Sequence, residues 1–259
     1  MNWQKLYKEY WQEGGIVMRL LILHTFAYLL IGLTSWVCAL ITPLHWWDLG
    51  LSLSFYPEWD KVLHHPWSLV TYALPHLNFF HFFGNMCLVY ALLPMMAYRL
   101  GTRRFLWTYI GGIFAGALTY LLGYQLLGAQ IIPPLSLQGA SAAILSVCAA
   151  AVMVDRKILS SFTLRFTGNR IPPIALWGFL FLVFLGAGRG NLGGHLAHLG
   201  GLLFGITCGL YYRKQAKRPA SVFTSDREEL LRKTRHSSFS SLSPEERRRL
   251  LQHLPKDKN

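Results

Sequence analysis

The chain has 259 residues, 53% of them hydrophobic and only 14% charged, with nine tryptophans and a positive mean hydropathy. A soluble domain carries about a quarter charged residues, so this composition excludes an ordinary soluble enzyme and points to a protein embedded in a bilayer. The formal charge of +13 does not mark a nucleic-acid binder, because Lys and Arg sit beside apolar runs, where they set membrane orientation and meet anionic headgroups.

Residues 1–19 are polar and aromatic and read as a cytoplasmic N-terminal segment. No cleavable signal peptide is expected, since the first apolar run is too long for a signal h-region. Apolar runs then predict six spans, at 20–42, 76–98, 105–127, 139–154, 171–188 and 194–212. A helix needs about 20 residues to cross the hydrocarbon core, so the fourth, closed by Asp155-Arg156-Lys157, is short. The expected fold is all-α: a polytopic six-helix bundle over 20–212 with a long outer loop after the first helix.

That loop, 43–75, is aromatic and proline-bearing, and its Trp46, Trp47, Trp59 and Trp67 suit a membrane–water interface. After Tyr212 the composition turns basic and Ser-rich, so 213–259 reads as a cytoplasmic tail. It is expected to be mostly flexible, with a Ser-x-x-Glu capping box from Ser243 to Glu246. Cys38, Cys87, Cys148 and Cys208 all lie inside apolar runs and read as small hydrophobes, not as a disulfide framework.

Basic residues set the orientation. One set of connections holds Arg99, Arg103 and Arg104, then Arg156, Lys157, Arg165 and Arg170, then Arg213, Lys214, Lys217 and Arg218. The N-terminal segment adds Lys5, Lys8 and Arg19, whereas the opposite connections hold little beyond Lys61 and Arg189. The positive-inside bias therefore places both termini in the cytoplasm.

With this alternation, spans two, four and six all run inward and begin at similar depth near the outer face. Span two opens with "HLNFFHFFGNM", span four with "GASAAI" and span six with "GHLAHLGG". Polar residues in membrane helices tend to face the protein interior or a wet cavity. Ser141 supplies a hydroxyl nucleophile and His198 a base; His81 and Asn85, four residues apart on one helical face, can donate to a developing oxyanion. Gly201 and Gly205 form a Gly-x-x-x-Gly that permits close helix crossing, which proton transfer between Ser141 and His198 requires.

Each feature has an ordinary explanation when taken singly. A membrane-helix serine commonly bonds its own i−4 carbonyl, a lone histidine such as His24 or His45 commonly packs or sits at an interface, and Asn85 could bridge helices. A proton-relay transporter would need acidic groups within the spans, and none of the six contains Asp or Glu. The conjunction at one depth favours acyl transfer.

These residues resemble the rhomboid family of intramembrane serine proteases, in its bacterial six-span form, over residues 65–212. "HLNFFHFFGNM" matches His-x-x-x-x-His-x-x-x-Asn, "GASA" matches Gly-x-Ser-x, and "AHLGGLLFG" matches Ala-His-x-x-Gly-x-x-x-Gly. The resemblance implies Ser141 as nucleophile and His198 as base, without an acidic third member. It further implies His81, Asn85 and the Ser141 amide as oxyanion site, with His76 and Gly139 supporting the pocket. It implies no metal or cofactor, transmembrane proteins as substrates, and an inner membrane with the active site opening outward. A catalytically dead rhomboid relative would typically lack the serine or the histidine, and both are kept. Two positions depart from the pattern: Ala142 follows the serine where glycine is more familiar, and Ser68 follows Trp67 where Arg or Gln is often found. His195 is expected to line the pocket or pack.

Overall fold

The computed structural model describes residues 15–41, 49–76, 78–156, 158, 164–166, 169–171, 191–216, 243 and 245–246. In chain order these form α1 (Gly15–Ile41), α2 (Leu49–Leu53), α3 (Trp59–His64), α4 (Ser68–Thr71), α5 (Phe79–Leu100), α6 (Thr102–Leu127) and α7 (Ser141–Val154). A short antiparallel pair follows, β1 (Leu164–Phe166) with β2 (Asn169–Ile171), and then α8 (Leu192–Ala216). The described residues are thus mostly helical. The two strands depart from an all-α expectation, and β2 includes Ile171, the first residue of the expected fifth span; 172–188 lie outside the described residues.

Among the described residues three helices, α1, α5 and α6, are long and apolar enough to cross a membrane. At 1.5 Å per residue α7 is only about 21 Å long, short of the ~30 Å hydrocarbon core. It is also the most enclosed: nine of its 14 residues, from Ala142 to Ala151, are buried. A helix so surrounded by protein need not reach either membrane surface, because its neighbours supply the apolar contact that lipid gives α1.

Helix ends have identifiable local causes. Asn78, in extended conformation, caps α5 by accepting the His81 N–H at 2.9 Å, and Asn191 caps α8 by accepting the Gly194 N–H at 3.0 Å. Gly101 separates α5 from α6 with φ of +74°, a backbone that side-chain-bearing residues resist, while its N–H donates to the Ala97 carbonyl at 2.9 Å. Two expected spans shift accordingly: span two starts at Phe79 and not at His76, and span four starts at Ser141 itself.

Close contacts fix the directions of the central helices. A methyl group built on Gly201, Gly205 or Gly209 of α8 would strike the carbonyl oxygens of Ala142, Ser146 and Ala150 of α7, respectively. Both series ascend together, so α7 and α8 run parallel with their backbones touching. On the other side of α7, Gly112 of α6 abuts Ser146 and Gly116 abuts Ala142, a descending series and therefore an antiparallel crossing. Small residues at every fourth position thus surround α7 with two helices at very short range.

Polar contacts reinforce one end of this bundle. Ser146 Oγ donates to the Thr108 carbonyl at 3.1 Å, and Thr108 Oγ1 lies 3.3 Å from the Tyr212 hydroxyl, joining α6, α7 and α8. Arg99 at the end of α5 pairs with Asp155 just past α7, at 2.9 Å. Two of the basic connections therefore meet at the same end.

The segment between α1 and α5 is folded onto the bundle. Phe55 and Leu137 exchange two backbone hydrogen bonds, of 3.2 and 2.7 Å, and Gln138 Nε2 donates to Ser54 Oγ at 3.0 Å. Gln125 at the end of α6 reaches the Pro57 carbonyl at 3.0 Å. Within the loop, Trp67 Nε1 donates to the Ser52 carbonyl at 3.1 Å and Thr71 Oγ1 to that of Leu53 at 3.0 Å. Anchoring therefore does not depend on the departing position, where Ser68 is simply buried.

The chain divides into two compact units, Met1–Arg213 and Lys214–Asn259. In the second, Ser243 and Glu246 form the expected reciprocal box: Ser243 N–H donates to Glu246 Oε2 at 2.9 Å, and Glu246 N–H to Ser243 Oγ at 3.2 Å.

Candidate functional site

The shortness of α7 has a chemical consequence. Ser141 is its first residue, so the nucleophile candidate stands where the N–H groups of a helix lack intrahelical acceptors and the helix dipole is positive. The parallel crossing with α8 brings His198, three residues before Gly201, to the same level. Ser141 Oγ lies 2.7 Å from His198 Nε2. That falls within the ~2.6–3.2 Å that proton transfer requires.

The approach to Ser141 depends on a glycine. Gly139 has φ of +102°, and its N–H donates to the Tyr72 carbonyl at 2.9 Å. A Cβ at this position would stand 2.7 Å from His81 Cε1 and 2.9 Å from its Nε2, so only a bare Cα lets the His81 imidazole lie against the chain two residues before Ser141. Tyr72 is held in turn by its hydroxyl, which donates to the Ile113 carbonyl at 2.8 Å, and burial pushes its phenol up, keeping it protonated.

His76 lies ahead of α5 and not on it, which corrects its expected place on the helix; the Asn78 cap sets the boundary. Its ring nevertheless stands edge-on to His81, with centroids 5.2 Å apart, and is buried among Phe82, Tyr28 and His24. Nδ1 of His76 is 3.0 Å from the Leu74 carbonyl, which can only accept, so this nitrogen carries the proton.

Asn85 is buried one turn beyond His81, and its Nδ2 donates to the His81 carbonyl at 2.9 Å. One of its two amide hydrogens is therefore engaged by its own helix, and the second is the one that remains for a ligand. His195 stands beside His198, with ring centroids 6.4 Å apart. Gly201 and Gly205 sit at the α7 contact described above. The structure thus joins Ser141 to His198, and His81 to both Gly139 and His76. Among the described residues no group of three His, Cys, Asp or Glu side chains is placed to hold a metal ion.

Asn78 and Asn191 are absent from the sequence-based expectations, although an Asn followed by helix is a familiar N-cap signal. So are Gly209, Gly112 and Gly116, which the four-residue spacing of small residues could have revealed. By sequence alone His24 is an isolated packing or interfacial histidine. It is buried and its Nε2 is 2.8 Å from the Tyr109 hydroxyl.

The three apolar helices and the enclosed α7 define an integral membrane protein. A family model, the Rhomboid domain, matches residues 63–215, more than half of the chain. The chain belongs to the rhomboid family, whose members are intramembrane serine proteases. No curated protein matches it. The matched region begins before α4 and ends within α8, so it contains the whole candidate site while excluding α1.

Proposed function

We propose that the chain is a serine endopeptidase that cleaves single-span membrane proteins within or beside their transmembrane segment. The observation that carries this reading is the 2.7 Å contact between Ser141 Oγ and His198 Nε2 at the first turn of an enclosed helix. In the reaction His198 Nε2 takes the hydroxyl proton as Oγ attacks the scissile carbonyl, then returns that proton to the leaving amine. Water repeats the sequence in the second half-reaction, adding to the acyl-enzyme and regenerating Ser141. The charge on the carbonyl oxygen is met by the Ser141 N–H, His81 and the second amide hydrogen of Asn85, with His76 and Gly139 holding the His81 ring. This chemistry requires neither metal nor cofactor.

The membrane setting follows from the same features. Six spans over 20–212, flanked by the cytoplasmic segments 1–19 and 213–259, fit the concentration of basic residues beside Arg99 and Asp155. Ser141, at the opposite end of α7, then opens toward the outer face of a bacterial inner membrane. Irregular backbone at membrane depth is tolerated where it is buried in protein or lines a wet cavity, and the turn through Gly139 before Ser141 is of that kind.

The direct test is labelling of the purified protein with a fluorophosphonate. Wild type is expected to label on Ser141 and Ser141→Ala to remain unlabelled; labelling that survives this substitution defeats the assignment. Asn85→Ala separates the oxyanion donor from the nucleophile. It is expected to lower kcat by about 10²-fold with little change in KM, the lower end of the range for losing one such donor. It should still permit slow labelling of Ser141. Normal turnover in a folded Asn85→Ala protein would reduce Asn85 to a support of its own helix.

A further inference from the structure

Behind His81 the ring of His76 meets that of His24, a buried residue outside the machinery described so far. Their centroids are 6.1 Å apart and their planes nearly perpendicular, at 80°. Both are more than nine-tenths buried, His24 at 2% and His76 at 8% exposure. Each uses one nitrogen: His24 Nε2 on the Tyr109 hydroxyl and His76 Nδ1 on the Leu74 carbonyl. The other nitrogens, His24 Nδ1 and His76 Nε2, are buried without a hydrogen-bond partner among the described residues.

The protons on these two rings can be assigned by elimination. The Leu74 carbonyl only accepts, so neutral His76 carries its proton on Nδ1 and offers a lone pair at Nε2. The Tyr109 hydroxyl has one described partner, and it is satisfied as a donor when His24 Nε2 accepts; neutral His24 then carries its proton on Nδ1. The result is a buried donor and a buried acceptor on adjacent rings. Leaving either unsatisfied carries the full desolvation penalty of a buried polar group with no hydrogen bond in return. A single water placed between the rings would accept from one and donate to the other, and buried waters typically have 2–4 such partners.

We infer that a buried water molecule joins His24 Nδ1–H to His76 Nε2, so that α1 helps to fix the ring of His81. The linkage runs from Tyr109 on α6 to His24 on α1, through the water to His76, and by ring contact to His81 against Gly139. His24 is a positioning residue: it touches neither Ser141 nor substrate and acts through His76. The kinetic part of this inference rests on the proposed protease activity, whereas the water itself does not.

Two measurements on the full chain test it. In the ¹⁵N-histidine-labelled protein, magnetic resonance is expected to show His24 and His76 both as neutral Nδ1–H tautomers, with magnetisation transfer from water to the His24 Nδ1 proton. A His24 proton on Nε2, or a His24 Nδ1 proton without water contact, overturns the water linkage, whether or not the protein cleaves anything. In turnover, His24→Phe keeps ring bulk but removes the donor. It should lower kcat by roughly tenfold with KM unchanged, less than the ~10² that a 1 Å misplacement of a reacting group can cost, and lower Tm modestly because the buried Tyr109 hydroxyl loses its partner as well. His24→Asn returns a donor near the Nδ1 position and should recover most of that loss. Equal impairment of the two variants, or full kcat in folded His24→Phe, overturns the positioning role. A wild-type protein that neither labels nor cleaves counts against the protease reading alone, since the tautomer spectrum still decides the water.

Discussion

Alanine at Ser141 or at His198 is expected to abolish cleavage of a single-span substrate, by about 10⁴-fold or more, on the scale of other serine hydrolases that lose their nucleophile or base. The protein should remain folded in detergent in both cases. Neither change removes a helix contact of the kind made by Gly201, and both replace a polar side chain with a smaller apolar one. The informative variant is the double substitution. Ser141 Oγ and His198 Nε2 are 2.7 Å apart and share one proton, so removing the second partner removes a function already lost. The double variant should therefore be hardly slower than either single one. Losses that multiply would mean the two side chains act independently, and the dyad would be wrong despite its geometry.

The second large effect is on folding. Gly201→Val is expected to destabilise the protein by about 2–3 kcal/mol, the upper part of the usual range for overpacking a filled core, and to lower activity with it. A Cβ at Gly201 meets the backbone of Ala142, not a side chain that could rotate away, so α7 and α8 must separate. That separation opens the Ser141–His198 contact one turn away. Leu202→Val is the control, because Leu202 is exposed and a β-branched residue there tests helix propensity without the crossing. A Gly201→Val protein with unchanged Tm and full activity would show that the crossing is looser than described. Equal losses in both variants would assign the effect to the helix itself.

Much of this protein is written in local sequence. Apolar runs fix where α1, α5 and α6 form, because burial of backbone in a bilayer demands helices and the runs are long enough. The family motifs around His81, Ser141 and His198 are likewise local strings, and the family match over 63–215 spans them. Asn78 and Asn191 are local N-cap residues too, although the apolar runs alone put those helix starts at His76 and Gly194. The short α7 was visible too, since Asp155 bounds it and Gly139 precedes it.

Other properties depend on which surfaces meet, and no local rule specifies that. Gly201, Gly205 and Gly209 advertise a small face, but only the register against Ala142, Ser146 and Ala150 makes the crossing parallel and sets His198 on Ser141. His76 looked like a residue of the second span, yet the Asn78 cap leaves it in the preceding turn, where packing against His81 gives it its place. The bridge from Phe55 to Leu137 spans 82 positions and ties the segment between α1 and α5 to the approach to Ser141. His24 illustrates the limit most clearly. One histidine in an apolar helix is uninformative by itself, because its hydrogen-bond partners, Tyr109 among them, lie on other helices. Sequence determined the helices and the chemical groups they carry; the tertiary structure decided which groups face one another, since the physical content of a site is distance and shared burial between segments remote along the chain.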